Sequence, residues 1–272
     1  MTAGLHTRAE HGADESRQLV RFTLPGQVAE IELAAGPLNL VTIPLLRQLD
    51  TVLSDIGRNE AIRCVIVHGG AARAFCAGSD IGELAELGQN ASERKILFED
   101  MVLRNLARLT VPTIAAIDGP ALGGGLELAL ACDLRVARAG VMLGLTESRL
   151  GGLGANGAVR MARLIGPSRT KDLLFTGEAI TAERAFEWGV VNRVVEDGSA
   201  LNCARSLAAT IADRGPISNR LGKMLADAAM DETLDGALCK STVAQQQIFD
   251  SEDLGEGVAA FFAKRMPRFH NR

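Results

Sequence analysis

GPALGGGLELALACD (residues 119–133) decides how this chain folds. It passes from a glycine cluster into an apolar helical pattern, directly behind VPTIAAIDG (111–119), which reads as a buried strand. LRVARAG (134–140) then returns as a strand, and strand–helix–strand alternation implies an α/β architecture. Working outward, CVIVHGG (64–70) reads as another buried strand ending at glycine. IPLLRQLDTVLSDIG (43–57) and ERKILFEDMVLRNLARL (93–109) carry helical spacing of apolar residues. LVRFTL (19–24) and VAEIEL (28–33) flank Pro25-Gly26, which predicts a β-hairpin.

Beyond residue 180 the patterns become consecutively helical: TAERAFEWG (181–189), SALNCARSLAATIADRG (199–215), PISNRLGKMLADAAMD (216–231) and ETLDGALCKSTVAQQQIFD (232–250). A final run, DLGEGVAAFFAKR (253–265), follows them. Gly215-Pro216 can close one helix and open the next. Three units are therefore expected: a disordered tail over 1–17, an α/β core over 18–215, and a C-terminal helical domain over 216–272. Two apolar faces in that last domain, Leu221, Met224, Leu225 and Met230, then Leu234, Leu238, Val243 and Ile248, serve packing onto the core or contact between subunits.

Composition narrows the function classes. The 272 residues carry 29 Lys+Arg against 33 Asp+Glu, a net charge of −4, which argues against nucleic acid as an electrostatic partner. No Tyr and a single Trp leave no Tyr acid or nucleophile and little for base stacking. The five cysteines (Cys64, Cys76, Cys132, Cys203, Cys239) form no CxxC pair, which fits reduced thiols in a cytoplasmic protein. The four histidines (His6, His11, His68, His270) are dispersed, so a His-based metal site or Ser-His-Asp triad has little to be built from. No metal is expected. No apolar h-region precedes the core and no run approaches membrane length, so neither a secretory signal nor a membrane span is expected.

The glycines Gly123, Gly124 and Gly125 are costly at a helix start, by roughly 1 kcal/mol each, unless something must approach the backbone there. A helix N-terminus with bare N–H groups suits an oxyanion hole; a flexible loop or tight helix–sheet packing would use the same residues. Glu127, among Leu126, Leu128 and Leu130, is either an exposed helix residue or a buried acid–base group. Glu147 ends an apolar run in VMLGLTESRLGG (141–152). Two carboxylates beside one anion-binding turn could move protons at both ends of an addition to a polarised double bond.

RAFCAGSDIGEL (73–84) supplies a second glycine-flanked turn. Cys76 and Ser79 could be named as nucleophiles there, but G-S-D is not a nucleophile elbow and His68 has no evident orienting partner. A backbone N–H at position 79 fits better. Gly152-Leu153-Gly154-Ala155-Asn156-Gly157 matches a dinucleotide fingerprint by letter, yet TESRLG, not an apolar strand, precedes it.

Six segments in order resemble the enoyl-CoA hydratase/isomerase (crotonase) superfamily: GPLNLV (36–41), AFCAGSDI (74–81), IDGPALGGGLELALACDLRVA (117–137), LTESRLGGLGANG (145–157), LFTGEAITAERAFEWGVVNRVV (174–195) and GEGVAAFFAKRMPRF (255–269). The resemblance covers residues 19 to 268. It implies a crotonase-like spiral of ββα turns with a C-terminal helical trimerisation domain, giving homotrimers or hexamers built as dimers of trimers. It further implies an acyl-CoA thioester substrate whose carbonyl oxygen sits between the N–H groups of Ser79 and Gly124. Glu127 and Glu147 match the family's two catalytic glutamates, which favours syn addition of water to a 2-trans-enoyl-CoA, giving a 3-hydroxyacyl-CoA. Glu127 would deprotonate water and Glu147 would exchange the proton at the α-carbon.

Substrate contacts would come from Ala77, Asp80, Ile81, Gly123 and Ala155, with Phe261 and Lys264 reaching the CoA, sometimes on a neighbouring subunit. No separate cofactor is implied, coenzyme A being part of the substrate. Two departures stand out. Gly154-Ala155 replaces the family's common Pro-Gly, and Ser79 replaces its commoner alanine. A Δ3,Δ2-enoyl-CoA isomerase or other enolate-forming member is the alternative in this fold. A non-catalytic RNA-binding or scaffold member is the alternative of another class.

Overall fold

A computed structural model describes residues 17–272; the tail expected over 1–17 thus falls almost wholly outside the described residues. The chain opens with the expected hairpin, β1 (Val20–Thr23) and β2 (Val28–Leu33), paired antiparallel with Val20 opposite Leu33. Helix α1 (Ile43–Arg58) follows, its first turn closed by the Thr42 side chain accepting the Leu45 N–H. Then come β3 (Cys64–His68), α2 (Ile81–Leu87), α3 (Leu97–Ala107), β4 (Thr113–Ile117) and β5 (Ala121–Leu122). The glycine-rich segment becomes α4 (Gly124–Leu130), followed by β6 (Leu134–Arg138), β7 (Met142–Gly144) and α5 (Ala155–Thr176). The remainder is β8 (Ile180–Thr181), α6 (Ala182–Trp188), β9 (Arg193–Val195), α7 (Ala200–Ala212), α8 (Pro216–Asp231), α9 (Leu234–Phe249) and α10 (Glu252–Phe262).

Six strands form one sheet in the order β1-β2-β3-β4-β6-β9, parallel throughout except for β1. Every residue of β3 and β4 is buried, which is why both read as unbroken apolar runs: a parallel strand is covered on both faces. On one face, Cys64, Ile66, Ile114, Ala116 and Val136 meet Ala200, Ala204 and Ala208, a small-residue stripe that lets α7 lie close. On the other, Val65, Val67, Ala115 and Ile117 join a larger core with Leu45, Leu49, Leu53, Val102 and Leu106 of α1 and α3. A second, three-stranded sheet, β5-β7-β8, stands behind the glycine turn.

Two features depart from the sequence reading. The run expected as one helix from residue 93 begins as a π-helical turn over Ser92–Ile96 before α3 proper. The pattern beyond 180 hides two strands. The three-residue β9 is too short to show a period, yet it pairs with β6 and completes the main sheet. Helix α5 is two helices joined at Gly166 (φ 79°, ψ 164°) ahead of Pro167, where the ring cannot continue a helical ladder.

The two apolar faces of the C-terminal helices are used differently. Leu221, Met224, Leu225 and Ile248 close a small core of their own between α8 and α9. Met230, Leu234, Leu238 and Val243 are exposed, as are Phe249, Phe261 and Phe262 of α9 and α10. Cys64, Cys76 and Cys132 are buried, whereas Cys203 is half-buried and Cys239 exposed; all five are free thiols.

Among the described glycines, the least room for a side chain is at the start of α4. A Cβ on Gly125 would fall 2.0 Å from the Cys76 carbonyl oxygen, a distance no real side chain tolerates. Gly125→Ala is therefore expected to lower stability by about 3 kcal/mol or more, read from the urea midpoint. Gly222→Ala, in α8 where nothing lies within 4 Å, is expected to be neutral or stabilising by about 1 kcal/mol. Equal effects of the two would dismiss the close approach as the cause.

Candidate active site

The loop 74–80 and the start of α4 are built as one unit. Cys76 bridges to Ala121 in the parallel sense, and Leu122 N–H donates to the Cys76 carbonyl at 3.0 Å. From the other side, Ala77 N–H donates to Leu38 O (2.9 Å) and Val41 N–H to Gly78 O (2.9 Å). Asn39 explains the GPLNLV segment. Fully buried at φ 48°, it donates its amide to Gly69, Ala74 and Phe75 carbonyls and accepts the Ala35 N–H, so one side chain braces the whole loop.

This bracing brings the two expected amides together. A Cβ on Gly124 would lie 3.7 Å from the Ser79 nitrogen, and one on Gly78 would lie 3.6 Å from the Gly124 nitrogen. Gly78 (φ 100°) and Gly123 (φ 52°), the residues just before these two amides, both have positive φ, which glycine adopts without strain. Among the described residues no backbone carbonyl accepts from either Ser79 or Gly124. Both amides face a groove of about 2200 Å³, whose wall also includes Ala77, Asp80, Ile81, Gly123 and Ala155. Asp80 caps α2 by accepting the Glu83 N–H, and Ile81 is exposed at the groove's edge.

Glu127 and Glu147 both line this groove. Glu127 is buried, and its Oε1 accepts the Gly157 N–H at 2.7 Å from the first turn of α5. Burial pushes its carboxyl up to about 7, opposed by that hydrogen bond and raised further by the nearby Glu147. Glu147, in a 3₁₀ turn over Glu147–Leu150, is also shifted upward by desolvation. Its carboxylate leans on two glycines: Oε1 lies 3.1 Å from where a Cβ on Gly123 would be, and 2.8 Å from one on Gly154. Its Oε2 is buried with no partner. Glu147 thus fills the space that a proline at position 154 would need, so Gly154-Ala155 alters the pocket around this carboxylate. Ala155 itself opens α5 and is exposed.

The competing chemistries fail on geometry. Burial pushes the Cys76 thiol up to about 12, so it is no nucleophile near neutral pH. His68 lies against Glu30 (3.7 Å), which Arg205 clamps with two 2.8 Å bonds on the far side of the sheet. The dinucleotide-like glycines follow a 3₁₀ turn and not a strand. Phe261 and Lys264 do not reach the groove of their own chain and are exposed on and after α10. Among the described residues no group of three His, Cys, Asp or Glu has metal-binding geometry, and no helix is long and apolar enough to cross a membrane.

Residues 23–272 match the family described as Enoyl-CoA hydratase/isomerase. The chain belongs to that family. It is 34% identical over 237 residues to the short-chain-enoyl-CoA hydratase of Clostridium acetobutylicum, a match spanning 86% of this chain and 91% of the relative. It is 33% identical over 267 residues to the mitochondrial methylglutaconyl-CoA hydratase of Mus musculus, spanning 96% and 82%. The crystal structure of an enoyl-CoA hydratase from Bacillus anthracis superposes with a TM-score of 0.90 at 34% identity, covering 94% of this chain and 100% of the other. The α/β spiral and its C-terminal helices are therefore those of this family.

Sequence reasoning overlooked Glu99. It lies on α3, is 5% exposed and lines the groove beside Gly124. A signal was present: Lys95, Glu99, Val102, Leu103 and Leu106 share the inward face of one helix, and two of the five are charged. Lys95 is accounted for, since its ammonium meets Val41 O at 2.7 Å and Glu83 at 2.8 Å.

Raised carboxyl pKa values have a stability cost with a definite sign. Folding favours the neutral form of Glu127, so that contribution is complete below the ordinary carboxylate range and is lost as pH climbs towards about 7. Glu127→Gln cannot ionise, and its amide oxygen can still accept from Gly157. Its Tm relative to the parent is expected to rise between about pH 5 and about pH 8 by a few degrees, about 1 kcal/mol moving Tm by about 2–4 °C in a chain this size. A pH-independent difference would mean Glu127 is not desolvated.

Proposed function

We propose that the protein is an enoyl-CoA hydratase, adding water syn across a 2-trans-enoyl-CoA to give the 3-hydroxyacyl-CoA. The observation that carries this reading is the meeting of two desolvated carboxylates, Glu127 and Glu147, with a pair of unengaged amides, Ser79 and Gly124, in one groove. The thioester oxygen lies between the two N–H groups, which stabilise the charge that grows on it as water attacks carbon 3. Glu127 takes the proton from water, and Glu147 delivers a proton to carbon 2. The two share one groove and titrate as a unit, so their roles belong to the pair.

Ala77, Asp80, Ile81, Gly123 and Ala155 line the path of the substrate, largely through backbone. The exposed apolar faces of α9 and α10 meet neighbouring subunits in a homotrimer or hexamer, within which Phe261 and Lys264 of an adjacent chain contact the CoA. In this reading residues 216–272 form the assembly unit and residues 18–215 the catalytic core. The enzyme works in the cytoplasm and needs no cofactor beyond the CoA carried by its substrate.

Crotonyl-CoA is the first test, followed by loss of enoyl-thioester absorbance. Glu127→Gln and Glu147→Gln are each expected to lower kcat by about 10²–10⁴-fold with the fold intact. Retention of Δ3,Δ2-isomerase activity with loss of hydration in Glu127→Gln would instead assign the isomerase as a second native activity. Because the attacking base must be ionised, kcat/KM is expected to fall about tenfold per pH unit below an apparent value near 7. A rate that is flat down to about pH 5 would remove Glu127 from the role of base.

A further inference from the structure

The groove holds a further buried glutamate that the hydration chemistry does not use. Glu99 is 5% exposed, yet its Oε2 is sealed from solvent with no hydrogen-bond partner, and no described residue donates to its Oε1. Its neighbour one turn earlier on the same face, Lys95, is committed to Val41 and Glu83 and does not neutralise it by contact. Burial and the adjacent Glu127 raise its carboxyl to about 7.

Its location matters more than its titration. A Cβ on Gly124 would lie 2.9 Å from Glu99 Oε1 and 3.6 Å from the Ser79 hydroxyl, so two polar groups crowd the same side of the proposed oxyanion donor. The rest of that wall combines apolar Ile96, Leu97 and Leu103 with Asp100, whose carboxylate is already paired with Asn156 and Arg104. An unsubstituted alkyl chain passing this point would cover Oε1 as well and leave the whole carboxyl unpaired, which is the situation in which a polar site rejects an apolar ligand.

We propose that Glu99 is a specificity-determining residue that hydrogen-bonds a hydroxyl carried by the acyl chain beyond the two reacting carbons, the fourth carbon being the first such position. The inference rests on the acyl-CoA reading above and deepens it. A hydroxyl is the group that satisfies Glu99 in both protonation states: it donates to the carboxylate and accepts from the acid. A substrate carboxylate would pair only with the acid, and a substrate cation only with the anion.

Binding of saturated analogues tests this without requiring turnover. Butyryl-CoA and 4-hydroxybutyryl-CoA are titrated calorimetrically into the full-length protein. The hydroxylated ligand is expected to bind about 10- to 100-fold more tightly, the range of a hydrogen bond to an ionisable group. Glu99→Leu is expected to abolish or invert that ratio by tightening butyryl-CoA. Glu99→Gln, which can donate and accept, is expected to keep it. Thermal melts establish that each variant is folded. Turnover of crotonyl-CoA and 4-hydroxycrotonyl-CoA is measured in parallel. A preference in binding that Glu99→Leu erases supports the inference even if no hydration occurs, in which case the hydratase reading alone fails. Equal binding of the two ligands, or a ratio unchanged in Glu99→Leu, overturns the role assigned to Glu99.

Discussion

The contact between the Cys76 carbonyl and the bare Cα of Gly125 sets the spacing of everything around the groove. Loop 74–80 and the first turn of α4 approach so closely that no side chain fits between them, and the two N–H groups converge as a result. Side chains could not do this with the same rigidity, because each would bring rotamers to be frozen. The glycines carry the reverse cost, a loss of helix propensity of roughly 1 kcal/mol each. That cost is offset by the burial of Leu126, Leu128 and Leu130 immediately after them. Asn39 is the second half of the device. It satisfies three loop carbonyls from one buried amide, so the loop holds its shape without regular secondary structure.

On that frame the chain places three carboxyl groups where water is largely excluded. Each is shifted upward chiefly by its own burial, so their charge is disfavoured before any neighbour acts. A protein selected for stability alone would replace such groups with apolar residues. Their presence around a pair of unengaged amides is better explained by proton transfer beside a developing oxyanion, which needs acids poised near the working pH. Lys95, buried behind Glu99, is tied to Glu83 and to Val41 O, and so braces the loop entrance while making no contact with the carboxyls.

Much of this was legible in the sequence, and the limits have physical causes. The buried strands β3 and β4 announced themselves because parallel strands need apolar residues on both faces. The three glycines were legible because nothing about helix propensity favours them. Glu127 stood out among leucines, and the structure buries it. Glu99 was missed because a single acid in a long amphipathic pattern reads as a solvated position unless the phase of the helix is known. The π-helical turn over Ser92–Ile96 changes that phase just before α3. The strand β9 was hidden by its three-residue length. Phe261 and Lys264 matched the family's pattern by position, yet they stand outside the groove of their own chain.

The departures from the family pattern converge on one region of the groove. Gly154 takes the place of a proline and lets Glu147 lean into the vacated space; Ser79 takes the place of an alanine and adds a hydroxyl beside Gly124. Glu99 brings a carboxyl to the same wall. None of the three disturbs the backbone amides, whose positions are fixed by Gly125, Gly78 and Asn39. In the proposed reading, chemistry and selectivity are carried by separate sets of atoms: main-chain geometry holds the reaction constant, while the residues at 79, 99 and 154 shape what the acyl group must offer. A fold arranged this way can change its substrate by substitution at the wall without rebuilding its oxyanion hole.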